Sequence, residues 1–592
     1  MKQLTSLRAL MQERNVAALI VPGTDPHASE YLNNHWEERS FISNFTGSAG
    51  TAVITLDGGC VWTDSRYFLQ ASEELAISGL QLQKDGEIGT PTIEEWLIST
   101  LGAGKTVAIN PSMISVAAFR SMKNRFDAAN IGLYTEFDFI NAVWENRPAL
   151  PNSTAMVFGE DRCGRNVTDK VAELRNRLAK AGANAMLATA LDDIAWCMNI
   201  RGNDVDYNPV VISYALITKD KSTLFINEGK IDSAMRAHLD AAGIATAEYD
   251  QVIPTLRSLT PDTAIVVDAA KCNYELYDAI ADGVKIVELA SPIFEMKSVK
   301  NSVELAGEER AMVKDGVALV RFWMWLEKMI ESGEKVTELD VVNSVHNYRA
   351  EQEGFITESF GTISGYGEHG AIVHYHCTPE SNIEIKPESF LLLDSGGQYL
   401  DGTTDITRTV AMGKVTDQMR RDYTLVLKGH LALGRQLFPY GTRGAQLDVI
   451  ARYFLWNNEL QYGHGTGHGV GHFLNVHEGP QSIRMNEVPT ILEPGMVLSN
   501  EPGLYRTGEY GIRIENLVTV AEYENNTNEF GRFLRFNDLT LFPYDTKSID
   551  TEILTEEERA QINDYHKMVY DRVSPLLSLN EAAWLKAKCA AI

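Results

Sequence analysis

Residues 391–409 read LLLDSGGQYLDGTTDITRT, and residues 463–480 read GHGTGHGVGHFLNVHEGP. The first stretch is an apolar run ending at Asp394, a glycine-rich turn, and an alternating run that opens at Asp405. Strand, turn and returning strand would bring the two aspartates side by side. Adjacent carboxylates repel unless one holds a proton or cations lie between them. Read alone, the pair serves equally well as two turn-capping aspartates.

Two later stretches repeat the theme. Glu501 follows a β-like run in SNEPGLY, residues 499–505, where Pro502 and Gly503 impose a turn. Glu515 lies in GIRIEN, residues 511–516, where alternation predicts Arg513 and Glu515 on one face of a strand. A surface ion pair is the plain alternative there. The second opening stretch holds His464, His468 and His472 at steps of four, then His477. Glycines at 463, 465, 467, 469 and 471 argue against a helix. They predict a strand or loop whose backbone approaches a ligand closely. On a strand His464 and His468 would share a face, while His472 reads as an ordinary packed histidine. His374, in GAIVHY at residues 370–375, is a candidate for the same cleft.

Asp394, Asp405, His468, Glu501 and Glu515 thus offer four carboxylates and one imidazole. That donor set suits hard or borderline divalent ions, not a thiolate zinc site. Two ions bridged by carboxylates hold and ionise one water, so hydrolysis is the expected chemistry.

A chain of 592 residues exceeds one hydrophobic core and should divide into domains. The excess of 80 acidic over 53 basic side chains, net −27, argues against a nucleic-acid partner. The six cysteines are scattered without a CxxC pair, so disulfides are not expected and a reducing compartment fits. The opening MKQLTSLRALMQERNVAALIVPG lacks the pattern of a secretory leader. No apolar run is long enough to span a bilayer. The expectation is a cytoplasmic protein with no membrane partner.

The first half reads as a duplication. Residues 7–23 give a helix pattern and then AALIVPG; residues 170–190 give KVAELRNRLAKAGA and then NAMLATA. β-like runs follow each, TAVITL in the first and NPVVISYALITKD in the second. Prolines 148, 151 and 292 punctuate the pattern. Residues 302–330 read as a long amphipathic helix or a helix pair. Thr555 with Glu558 predicts a capping box opening a final helix that turns Ile562, Tyr565, Val569 and Val573 to one side.

GAIVHY, the two opening stretches, SNEPGLY and GIRIEN together resemble aminopeptidase P, the Xaa-Pro aminopeptidases of the pita-bread metallopeptidases. Residues 29–71, SEYLNNHWEERSFISNFTGSAGTAVITLDGGCVWTDSRYFLQA, resemble the first domain of the long, three-domain cytosolic form. The resemblance implies an α/β and α+β architecture: two small creatinase/prolidase-type domains, residues 1–152 and 153–300, then a pita-bread catalytic domain with a C-terminal helical extension, residues 301–592. It implies hydrolysis of the N-terminal X-Pro bond by a hydroxide held between two divalent ions, manganese foremost, cobalt or zinc as alternatives. Asp394, Asp405, His468, Glu501 and Glu515 match the family's ligand positions. His374, His464 and His477 match its accessory histidines, Arg513 its arginine, and Glu501 doubles as the proton carrier. His472 stands where related long forms often carry a small residue. Peptide substrates with proline second and a homodimer are implied. The alternatives are a prolidase-like X-Pro dipeptidase and an inactive pita-bread module that binds proteins. The residues 35–39 and 64–66 of the first domain are candidates for substrate contact.

Overall fold

The computed structural model describes residues 1–524 and 529–592. Two units make it up: Met1–Gly159 with Arg165–Phe294, and Glu160–Gly164 with Glu295–Ile592.

The first unit holds the duplication. One six-stranded sheet runs in the order Gln81–Lys84, Gly59–Thr63, Thr51–Thr55, Ala18–Pro22, Thr106–Ile109, Gly132–Tyr134. The other runs Ile244–Ala247, Ser222–Ile226, Ser213–Thr218, Ala185–Ala188, Ala264–Val267, Lys285–Glu288. Neighbours pair parallel, antiparallel, antiparallel, parallel, parallel in the first sheet. The second sheet has the identical series. Each sheet's fourth strand is preceded by a helix. In Lys2–Glu13 the buried residues Leu4, Leu7 and Met11 form one stripe. In Val167–Lys180, Val171, Leu174 and Leu178 do the same, and the Asn166 side chain caps the first turn.

The second unit contains one uninterrupted helix of 31 residues, Ser302–Ser332, with Asn301 and Glu304 closing a capping box. That settles the choice between one helix and two. A three-stranded antiparallel sheet follows, Ile363–Tyr366, Phe390–Ser395 and Ile406–Ala411, with the strand Phe390–Ser395 in the middle. A six-stranded sheet includes Gly467–Gly469, Glu478–Ile483, Val497–Asn500 and Asn516–Glu522. The hairpin Gly503–Arg506 with Tyr510–Arg513 stands between the last two of these in sequence. One apolar cluster joins the long helix, through Phe322, Trp323 and Leu326, to Leu391, Leu393, Ile512, Leu517 and the final helices. The box of Thr555 with Glu558 is present, and Ile562, Tyr565, Val569 and Val573 are buried as expected. Among the described residues no helix is long and apolar enough to cross a membrane.

Candidate active site and metal centre

Asp394 sits next to last in the central strand Phe390–Ser395, paired across to Thr407. Asp405 stands one residue before the returning strand. The connection is longer than a tight hairpin because residues 397–403 form a small hairpin of their own. Even so, the register brings both aspartates to the same end of the sheet. Glycine explains the approach of the second stretch. A Cβ on Gly467 would collide with the Ser499 carbonyl oxygen, and one on Gly469 with the Glu478 carbonyl oxygen. His468 therefore lies in a three-residue strand clamped between two neighbours.

The side chains converge. His468 Nε2 lies 3.4 Å from Asp405 Oδ2 and 3.4 Å from Glu501 Oε1. Donor atoms of Asp405, His468 and Glu515 all fall within 4.8 Å of one another. His468 Nδ1 is 2.9 Å from the Gly469 carbonyl, an acceptor that fixes the proton on Nδ1 and turns the Nε2 lone pair into the cluster. Ser499 Oγ accepts the His468 backbone N–H at 2.9 Å and donates to Glu501 Oε1 at 3.1 Å. Glu515 Oε2 accepts from Thr407 Oγ1 at 2.7 Å. Asp394 Oδ2 accepts from Arg513 Nη2 at 2.5 Å. Asp394 Oδ1 and Asp405 Oδ1 are buried with no hydrogen-bond partner among the described residues.

Such orphaned anionic oxygens are costly in a protein interior. The electrostatics say the same. Burial pushes the carboxyls of Asp394, Glu501 and Glu515 above their ordinary range, and their mutual charge pushes them further, against the pull of Arg513 on Asp394 and of His468 on Glu501. Burial would lower the His468 imidazole. A hydrogen bond to Asp405 and the charges of Glu501 and Asp405 outweigh it and raise it to about 9. Negative charge is in excess here, and divalent cations held by Asp394, Asp405, His468, Glu501 and Glu515 fit the unsatisfied oxygens.

The accessory residues take different places. Arg513 bonds Asp394, Thr407 Oγ1 at 3.2 Å and the Tyr505 hydroxyl at 2.7 Å. That hydroxyl also lies 2.7 Å from His464 Nε2, and His464 Nδ1 lies 4.0 Å from Glu501 Oε2. The His477 ring stands edge-on to His468, centroids 4.4 Å apart. His374 occupies a turn, and the carbonyl of the preceding Val373 lies 3.4 Å from Arg513 Nη2.

Two expectations need correction. His464 lies in a bend, not on a strand with His468, because the strand spans only Gly467–Gly469. Glu515 falls in the break between Tyr510–Arg513 and Asn516–Glu522, so strand alternation does not place it with Arg513. His472 is packed as expected: it is 2% exposed, with Nδ1 2.9 Å from Glu308 and Nε2 3.1 Å from the Arg162 carbonyl, so it braces the interior. In the first unit Arg39 is buried against the Gly47 carbonyl, and Asp64 pairs with Arg66.

Sequence reasoning missed Thr407, Tyr505 and Arg408. Arg408, 2% exposed, donates to the Glu515 carbonyl at 2.6 Å, Phe542 O at 2.6 Å, Pro543 O at 3.1 Å and Asn516 Oδ1 at 2.8 Å. A charged residue inside the alternating run ITRTV was the available signal.

Family models match in series. The creatinase/prolidase N-terminal domain matches residues 3–137, a second such domain residues 146–304, metallopeptidase family M24 residues 308–522, and the C-terminal region of that family residues 532–592. A probable Xaa-Pro aminopeptidase P of Fusarium vanettenii is 40% identical over 612 residues, covering 100% of this chain and 98% of the relative. Aminopeptidase P2 of Arabidopsis thaliana is 39% identical, covering 97% of this chain and 86% of its own. The crystal structure of X-prolyl aminopeptidase from Caenorhabditis elegans, described as a cytosolic enzyme with a di-nuclear active site, superposes with a TM-score of 0.96 at 34% identity, covering 100% of this chain and 99% of that one. With its donor cluster assembled and both front domains in place, the chain belongs to the three-domain aminopeptidase P group of metallopeptidase family M24.

Proposed function

We propose that this protein is an Xaa-Pro aminopeptidase, removing the N-terminal residue of peptides whose second residue is proline. The observation that carries the reading is the largely buried cluster of Asp394, Asp405, His468, Glu501 and Glu515, with two orphaned carboxylate oxygens and an excess of negative charge. Bound divalent ions, manganese by preference, supply Lewis acidity and make a water nucleophilic at neutral pH.

The chain's own residues do the rest. Glu501 shares a hydrogen bond with Ser499 and faces His468, which leaves it placed to take a proton and return it to the leaving nitrogen. His374 and His477 are assigned to the developing oxyanion. His464, steadied by Tyr505, is assigned to holding the substrate. Arg513 fixes Asp394 and keeps its Oδ2 from turning away. An X-Pro bond carries no N–H, so the site has no need of an acceptor at that nitrogen.

The domain reading is 1–152, 153–300 and 301–592, supported by the two matching sheets and the capped helix that begins at Ser302. The place of action is read as the cytoplasm, after the Caenorhabditis elegans relative. A homodimer is supported by the outer face of the helix Gly444–Trp456, where Val449, Tyr453 and Trp456 are 44%, 56% and 40% exposed at helical spacing. Sedimentation equilibrium is expected to give two chains, and Tyr453→Glu to shift the balance toward one; a monomer at micromolar concentration removes the dimer.

The activity is tested by stripping metal and reloading with manganese, cobalt or zinc, then assaying X-Pro-X, X-Ala-X and X-Pro peptides. Release of X from X-Pro-X alone, restored best by manganese, is expected. Cleavage confined to X-Pro dipeptides would make the protein a dipeptidase, and no cleavage in any metal would leave a binding module.

A further inference from the structure

Residues 367–389 form one of the least regular segments of the second unit: a short 3-10 turn, Gly367–Ala371, then no helix or strand until Phe390. His374 lies in its middle. A segment of this kind ordinarily moves, and a group that must meet an oxyanion cannot.

One carboxylate ties the segment down. Glu338, the first residue of the helix Glu338–Ala350, is fully buried. It accepts from five donors: the Tyr366 backbone N–H at 2.8 Å, His369 Nδ1 at 2.9 Å, the Tyr375 hydroxyl at 3.0 Å, the Cys377 thiol at 3.7 Å and the Ile383 N–H at 3.4 Å. Four of the five lie at or beyond His369, and Tyr375 adjoins His374. The His369 and Tyr375 rings face each other at 4.5 Å, and the Tyr375 hydroxyl also reaches Ser381 Oγ at 3.0 Å. Tyr375 packs with Ile363 and Leu392. Ile363 is the strand partner of Asp394, and Leu392 stands two residues before it. The loop is thus pinned to the strands that present Asp394.

Helix capping does not account for this carboxylate. Thr337 and Asp340 form the capping box of the same helix without it. A buried carboxylate is retained only where donors repay its lost hydration, and here the donors come from the loop and its edges.

We infer that Glu338 is a positioning residue for His374, holding the 366–383 segment so that the histidine meets the reacting carbonyl. The inference rests on the proposed role of His374, and the test separates the two. Four manganese-loaded full-length proteins are compared on an X-Pro-X peptide: wild type, H374A, E338Q and the double variant. Glutamine keeps the shape of Glu338 but replaces an acceptor oxygen with a donor.

H374A is expected to lower kcat by about 10²–10³-fold with metal content kept, the loss typical of one oxyanion donor. E338Q should lower kcat by about 10–100-fold, as loss of an outer-shell contact does, with KM and metal content close to wild type. The double variant should be no slower than H374A alone, because Glu338 then has nothing left to position. Multiplied losses in the double variant would overturn the inference, and so would an E338Q protein with wild-type kcat. A wild-type kcat in H374A would fell the role of His374, and the inference with it. Should E338Q fail to fold, Tyr375→Phe removes a single donor. It should show a smaller loss that again vanishes in the H374A background, and a loss that persists there counts against the inference.

Discussion

Asp405→Ala is expected to keep its fold, to lose tightly held divalent metal, and to slow cleavage of X-Pro-X peptides by on the order of 10⁴-fold or more, the scale on which removal of a central catalytic group acts. Asp405 is 3% exposed, its Oδ1 has no partner among the described residues, and its Oδ2 faces His468. It belongs to the trio whose donor atoms all lie within 4.8 Å of one another. The same charge pushes up the carboxyls of Glu515, Glu501 and Asp394. Its removal therefore has two opposite effects. The metal-free protein loses a repulsive neighbour and should melt at a higher temperature than metal-free wild type. Added manganese, which should raise the melting temperature of wild type through mass action, should leave the variant nearly unmoved. Elemental analysis, melting with and without manganese, and kcat give three independent readings. A variant with normal metal content and rate would show that the assigned centre is wrong.

Arg408→Met carries the second large effect, and it falls on stability first. Methionine fills much of the volume but leaves the carbonyls of Glu515 and Pro543 without their buried donor, while the Phe542 carbonyl keeps the Tyr565 hydroxyl at 3.0 Å. At about 1–3 kcal/mol for each unsatisfied group, partly relieved by local movement, a loss of about 4 kcal/mol is expected. The second consequence reaches the metal. Arg408 fixes the backbone of Glu515, so affinity for manganese should fall by about 10–100-fold in the fraction that folds. Urea unfolding of the metal-free protein and manganese titration read the two effects separately. Arg408→Lys should recover little of either, since one ammonium cannot serve carbonyls on several sides. Wild-type stability in Arg408→Met would mean that the carbonyls find other partners.

Four of the five proposed ligands sit beside a local signal. Asp394 ends an apolar run, Pro502 and Gly503 follow Glu501, and alternate glycines bracket His468. The doubled front half was legible too, since helix and strand patterns recur in one order. Finer placement was not. Glu515 lies in a break between strands, which period-two alternation cannot reveal. Thr407 meets Glu515 across 108 residues, and Arg408 meets Phe542 across 134. Glu338 opens an ordinary helix, and its donors lie 28 to 45 residues onward. Partners so far apart leave no mark on local periodicity; packing alone decides them.

The five residues Glu160–Gly164 belong to the second unit although the flanking chain on both sides belongs to the first. Within the second unit the Arg162 carbonyl meets His472, the Arg162 guanidinium lies 3.8 Å from Asp401, and the Cys163 carbonyl accepts from Asn301 at 2.9 Å. The polypeptide therefore crosses between units three times. A gene fragment starting at residue 295 would encode a hydrolase half missing one of its own stitches, and an engineer wanting that half alone would have to graft the pentapeptide back.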